Sequence, residues 1–110
     1  MIFRFQLTKK KEMNLNAAKM FWQWFEENER SIIERYKTDP RRLVFEIDQK
    51  LRPIFPYYNR ELEFQLGFNE GRGEFFFFHM NNRHLIRDGD TLGALMPESV
   101  KQRWRYILTN

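Results

Sequence analysis

Two strand-like stretches, one alternating between apolar and polar residues and one rich in phenylalanine, are separated by a glycine-rich segment. Residues 60–68 alternate between apolar side chains and polar ones, chiefly glutamates, which is the period of a strand with one buried face. Residues 74–81 contain four consecutive phenylalanines, Phe75–Phe78. The segment between them, 69–73, predicts the turn of a β-hairpin that spans 60–81. The side chains predicted to point inward from the first strand are Leu62, Phe64, Leu66 and Phe68.

The second strand of this hairpin is apolar on both faces, because successive strand residues point in opposite directions. We assign Phe76 and Phe78 to the buried face, together with the inward residues of the first strand. Phe75, Phe77 and His79 then lie on the opposite face. An apolar face of this size is seldom left bare in a monomer. Either another part of the chain or another molecule is expected to cover it.

A period of 3.6 residues predicts two helices before the hairpin. The first is expected over 17–37 with Asn16 as its N-cap, and the second over about 40–52, ended by Pro53. Trp24 lies off the apolar stripe of the first helix. It is either an exposed anchor for a partner or a ring packed on the sheet or the next helix, and the usual burial of large aromatic side chains favours packing.

The C-terminal part gives weaker signals. Residues 84–87 predict a short third strand, 88–91 a loop, and the residues near 91–96 a short helix stopped by Pro97. The tail, 98–110, fits a helix or a strand, and we favour a turn followed by a strand. The whole pattern predicts an α+β fold, in which two N-terminal helices pack on a small antiparallel sheet made of the hairpin and short strands, in two layers.

The first residues differ from the rest of the chain. Residues 2–8 alternate as a strand does and are followed by the basic run Lys9–Lys11. We expect residues 1–12 to form an N-terminal strand or extension. A length of 110 residues suits one domain, so we expect residues 13–110 to fold as a single α+β domain.

Several landmarks occur in a characteristic order. They are an aromatic helix with a W-F-x-x-N pattern at residues 24–28, the hairpin, a short helix ending at Pro97 and the late Trp104. This order resembles a group of small uncharacterised bacterial α+β proteins, over about residues 17–108. The resemblance implies the fold and a bacterial source. It attaches no activity, cofactor or catalytic residue.

Composition and charge exclude some classes of function. The absence of cysteine excludes disulfides, thiolate metal sites and cysteine nucleophiles. The net charge is +4, of which residues 1–12 contribute +3, leaving +1 for the body. A nearly neutral body argues against nucleic-acid binding. No apolar run reaches the ~20 residues of a membrane helix and the start lacks a signal-peptide pattern, so we predict a cytoplasmic protein without a membrane span.

The only histidines, His79 and His84, are followed closely by Asp88 and Asp90. Imidazole and carboxylate groups are ligands for zinc or iron, but this spacing matches no ligand motif. The interpretation that we favour makes His79 structural and the two aspartates turn and cap residues. We therefore predict no metal, no cofactor and no catalytic residue.

These features predict a non-enzymatic protein–protein interaction or adaptor domain. Its interaction surface is predicted to contain Phe75, Phe77, His79 and Trp24, and to form a homodimer or to bind another protein. Two alternatives stay open. One is binding of nucleic acid or an anionic surface through the basic termini, and the other is an enzyme with its site around His79 and Asp88.

Overall fold

The structure is a computed structural model that describes residues 11–110. Within this range lie five α-helices, three β-strands and one 3-10 turn at Arg52–Ile54. The helices are α1 (Leu15–Glu27), α2 (Glu29–Thr38), α3 (Pro40–Leu51), α4 (Arg83–Ala94) and α5 (Glu98–Lys101). The strands are β1 (Glu63–Asn69), β2 (Arg72–Phe78) and β3 (Trp104–Thr109). The α+β class is confirmed, whereas the predicted strand over 2–8 lies outside the described residues.

The sheet has the order β1-β2-β3. β1 and β2 form the predicted antiparallel hairpin, but β3 joins β2 in parallel. The sheet is therefore mixed and not antiparallel throughout. A parallel neighbour requires a crossover connection, and the segment containing α4 and α5 provides it between β2 and β3.

The long helix predicted over 17–37 is divided into α1 and α2 at Asn28. The backbone N–H and the side-chain amide of Asn28 both donate to the carbonyl oxygen of Trp24, at 2.9 Å each. These bonds end α1. The N-cap is Asn14 and not Asn16, because the side-chain oxygen of Asn14 accepts from the N–H of Ala17 at 3.0 Å. The backbone N–H of Asn14 also donates to the carbonyl oxygen of Ile54 at 2.8 Å, a contact between distant segments that the sequence does not show.

The prediction of a strand at 84–87 and a loop at 88–91 is wrong, because one helix, α4, begins at Arg83, and the short helix predicted near 91–96 is the last turn of this longer helix. Asn82 caps it by accepting from the N–H groups of His84 and Leu85. Gly89 suggested a loop, yet it lies where α4 crosses the sheet. A Cβ there would lie 2.7 Å from the side chain of Leu108. Glycine allows the helix to approach β3.

The ambiguous tail begins with a single helical turn, α5, and continues as β3. The predicted strand is confirmed, and a short helix precedes it where a turn was expected. The side chain of Val100 is buried from within this turn, and that of Trp104 is buried at the first position of the strand. Val100 belongs to the helical turn and Trp104 to the strand. The apolar residues of the tail therefore fitted both a helical and an extended pattern.

The core lies between the sheet and a layer of helices. The ring of Phe75 in β2 contacts the rings of Phe21 and Trp22 in α1, with centroids 5.9 Å apart in each case. Trp104 in β3 contacts Phe25 of α1 at 4.9 Å. α3 packs on α1 and α2. The predicted two-layer arrangement is therefore confirmed, with the helices on one face of the sheet.

Candidate functional site

The hairpin turn reverses the predicted faces of β2. Only two residues, Glu70 and Gly71, connect the strands, and both have positive φ, 54° and 81°. This is a two-residue loop of the type that suits a tight hairpin. The resulting register places Leu66 opposite Phe75, and directly opposed residues share a face. The inward residues of β1 therefore share the helix-covered face with Phe75 and Phe77.

Phe75 and Phe77 are fully buried in the core. The prediction that these two rings form an interaction surface is wrong. It assumed a five-residue turn over 69–73, and a shift of one residue in register moves every side chain to the opposite face. Phe76 and Phe78 form the second face instead, half-buried and stacked with centroids 6.4 Å apart.

Trp24 and His79 belong to two separate places. The Trp24 ring is half-buried against Phe21 at 6.1 Å, and the Nζ of Lys50 lies 5.1 Å from its centroid. It lines a groove of about 380 Å³ between α1 and α3. His79 follows β2, where its Nδ1 accepts from the N–H of Asn81 at 3.0 Å. The structure does not bring the four predicted surface residues together.

Asp88 lies at the centre of a hydrogen-bonded cluster. It is buried in α4 and accepts from the hydroxyl of Tyr57 at 2.6 Å and from Arg87 at 2.8 and 2.9 Å. Burial raises the pKa of Asp88, but the hydrogen bonds from Arg87 and Tyr57 outweigh it and hold the pKa below its ordinary value. Burial, followed by the bond to Asp88, raises the pKa of Tyr57. The hydrogen bond from Tyr57 to the charged Asp88 connects α4 to the segment that precedes β1.

His84 and Asp90, the other candidate ligands close to Asp88 in sequence, do not form a metal site with it. His84 makes an edge contact with the ring of Tyr57 at 5.7 Å, and partial burial followed by nearby Arg87 lowers the pKa of His84. Asp90 lies exposed on α4. In residues 11–110, no group of three or more His, Asp or Glu side chains is placed to hold a metal ion.

A second buried carboxylate joins α2 to β3. Glu29 accepts from the Nε and Nη2 of Arg103 at 2.6 Å each, and from the indole N–H of Trp104 at 3.2 Å. These bonds, those from Arg103 above all, lower the pKa of Glu29 despite its partial burial. Like Asp88, this carboxylate is occupied by neighbouring donors, so its arrangement is that of a structural ion pair.

The outer edge of β1 is different, because within residues 11–110 no neighbouring strand bonds to its backbone groups. The N–H groups of Gly73 and His79 donate to the β3 side, so the odd-numbered residues of β2 bond to β3 and the even-numbered ones to β1. The even-numbered residues of β2 are opposite the odd-numbered residues of β1. No strand in the described part of the chain pairs with the other side of β1. The residues whose N–H and C=O groups face this open edge are Phe64, Leu66 and Phe68.

Exposed apolar side chains flank the same edge. Of the seven most exposed large apolar side chains in residues 11–110, four lie beside β1. Phe68 belongs to the strand, and the ring of Tyr36 contacts it at 4.9 Å. The other two, Val44 and Phe45, line an open groove of about 550 Å³ between α3 and the start of β1, which Phe64 also lines. We call this combination of strand and flanking side chains the β1 edge.

Natural proteins usually cover or charge an edge strand, because unpaired backbone groups are a template for another strand. The β1 edge combines such groups with exposed apolar side chains. The position of Phe45 outside the apolar stripe of its helix was visible in the sequence. Its proximity to β1 was not, because that depends on how α3 packs.

No protein-family model, curated protein or solved structure matches this chain. The resemblance to small bacterial α+β proteins therefore stays a prediction. None of the helices within residues 11–110 is long and apolar enough to cross a membrane.

Proposed function

We propose that this protein is a non-enzymatic interaction domain that binds a partner by accepting an additional strand at the β1 edge. The observation that supports this proposal is the coincidence of an open row of backbone donors and acceptors with the exposed side chains of Val44, Phe45 and Phe68. The cytoplasmic location predicted from the sequence is part of the same proposal.

Strand addition has two physical requirements, and the β1 edge meets both. The incoming backbone needs unpaired N–H and C=O groups, which give affinity. Its alternate side chains need an apolar surface beside the strand, which gives specificity. The groove between α3 and β1 offers the apolar side chains of Val44, Phe45 and Phe64, and the charged side chains that also line it are those of Arg41, Asp48, Arg52, Glu61 and Glu63.

The ionisable clusters favour this function over catalysis. Both Asp88 and Glu29 have their carboxylate oxygens occupied by hydrogen bonds from neighbouring side chains. A general base must instead reach a proton of the substrate. The groove beside Trp24 is lined by both apolar and polar side chains and has no strand edge, so it lacks the backbone groups that distinguish the β1 edge.

A library of random extended nonapeptides displayed on phage tests the proposal. Peptides selected on the full chain should perturb the backbone amide signals of Phe64, Leu66 and Phe68 in a heteronuclear NMR titration. Phe45→Glu should weaken their binding by about tenfold or more. Met20→Glu is the matched control, because Met20 is 60% exposed and Phe45 is 61% exposed. Peptides that perturb other amides, or that bind Phe45→Glu as well as they bind the parent, would contradict the proposal.

A further inference from the structure

We propose that the strand added at the β1 edge is β1 of a second copy, paired in antiparallel orientation about a two-fold axis that passes beside Leu66. This inference rests on the proposed function and names the partner. The homodimer would have one continuous six-stranded sheet, with both helix layers on the same face, because a two-fold axis normal to the sheet preserves the face.

The backbone of β1 is complementary to itself in this arrangement. Its outward-facing residues, Phe64, Leu66 and Phe68, are distributed symmetrically about Leu66. Antiparallel pairing centred there places each of them opposite a residue of the partner that also faces outward. Every outward N–H then meets an outward C=O, as in the hydrogen-bonded pairs of a regular antiparallel ladder.

The number of paired residues favours this register over registers that are displaced along the strand. Pairing centred on Leu66 is the register that aligns Glu63 with the partner's Asn69 and thus includes all seven residues of β1. If the centre of the pairing moves by one residue, to Gln65 or Gly67, two residues at one end of each β1 strand have no partner in the ladder. The acidic start of the strand, Glu63, lies opposite an uncharged amide side chain.

The side chains beside the strand are also complementary. Phe64 lies opposite the partner's Phe68, and aromatic cross-strand pairs stabilise antiparallel sheets. Phe64 lines the groove that contains Val44 and Phe45. The pairing therefore brings the partner's Phe68 to this groove, with the ring of Tyr36 beside it in that copy. The four exposed apolar side chains of the β1 edge are covered together, twice, by symmetry.

Introduced cysteines test the register, because the natural chain contains none. Gln65 lies opposite the partner's Gly67 at a non-hydrogen-bonded position, where Cα atoms are about 4.5 Å apart, within the range of a disulfide. A side chain at Gly67 is tolerated, since a Cβ there has its nearest neighbour at 4.0 Å.

Mixing Gln65→Cys with Gly67→Cys under mild oxidation should give the mixed disulfide dimer about tenfold faster than either variant gives its own dimer. Ile86→Cys, at an exposed position on α4, measures the rate of random collision. Equal rates for the mixed and unmixed samples, or rates equal to that of Ile86→Cys, would overturn the register.

Sedimentation equilibrium tests the dimer without a cross-link. The parent chain should be dimeric, Phe45→Glu and Val44→Glu should each raise the dissociation constant by about tenfold or more, and Met20→Glu should leave it unchanged. A parent chain that stays monomeric overturns self-pairing. If phage-selected peptides still perturb the β1 amides of that monomer, strand addition stands and only the identity of the partner is wrong. If they do not, both proposals fail.

Discussion

The two faces of β2 have the same chemistry and different surroundings. Phe75 and Phe77 are fully buried beneath the helices, whereas Phe76 and Phe78 contact each other on the face that the helices do not reach. Four adjacent and identical side chains thus divide into core and surface. The difference teaches that a ring's burial here is set by the register of the hairpin and not by its hydrophobicity.

The largest expected effect compares the two faces directly. Phe75→Ala should lower the free energy of unfolding by about 3–5 kcal/mol, because it opens a cavity among the rings of Phe21, Trp22 and Phe25. Phe76→Ala should lower it by about 1 kcal/mol, the usual effect of a partly exposed substitution. Urea denaturation followed by fluorescence measures both. Equal losses would show that something covers the second face as thoroughly as the helices cover the first.

A glycine on each face sharpens the comparison. Gly73→Ala should cost about 1–3 kcal/mol through overpacking, because a Cβ at this position would lie 2.5 Å from the ring of Trp104. Gly67→Ala, on the opposite face, should cost less than about 0.5 kcal/mol, since its nearest neighbour would be at 4.0 Å. Thermal unfolding of the two variants measures the difference, and a larger loss for Gly67→Ala would contradict this assignment of the faces.

The smallest expected effect concerns the acid stability of the covered side. The pKa of Glu29 and that of Asp88 are lowered in the folded protein. Each carboxylate therefore contributes stability above its unfolded pKa, and that contribution is lost as the pH falls through the folded pKa. Glu29→Gln should reduce stability at neutral pH by about 1 kcal/mol, because Arg103 is half exposed and solvent screens the pair.

The same variant should also flatten the decline in stability on acidification, measured by urea denaturation across the acid range. Glu34→Gln, at an exposed position on α2, is the control and should keep the decline seen in the parent. An acid profile of Glu29→Gln identical to that of the parent would show that the ion pair with Arg103 does not contribute to folding.

Individual elements were predictable where the signal was local. α3 follows from Asp39-Pro40 and a regular apolar stripe, and its predicted bounds of about 40–52 agree with Pro40–Leu51. The hairpin follows from an alternating stretch and an aromatic stretch on either side of a glycine-rich turn. α4 was not predicted, because its glycines fit a loop as well as a close helix–sheet contact, and only the proximity of β3 decides between these.

The candidate site was harder to predict from the sequence than the fold. Phe45 is an apolar residue outside the apolar stripe of α3, and Tyr36 is exposed near the end of α2. Neither observation places these side chains beside β1. An edge strand is defined by the strand that is missing next to it, so the β1 edge could be recognised only once the strand order was known.

The sequence by itself determined the local periods, and with them the helical region that contains α1 and α2, the helix α3 and the hairpin. It did not decide which face of β2 is buried, because a strand that is apolar on both faces has no preferred orientation. The tertiary structure decided which face is buried through the two-residue turn at Glu70 and Gly71, and it placed β3 parallel to β2. The physical reason is that periodicity records which residues share a face, whereas only packing between distant segments determines what each face meets.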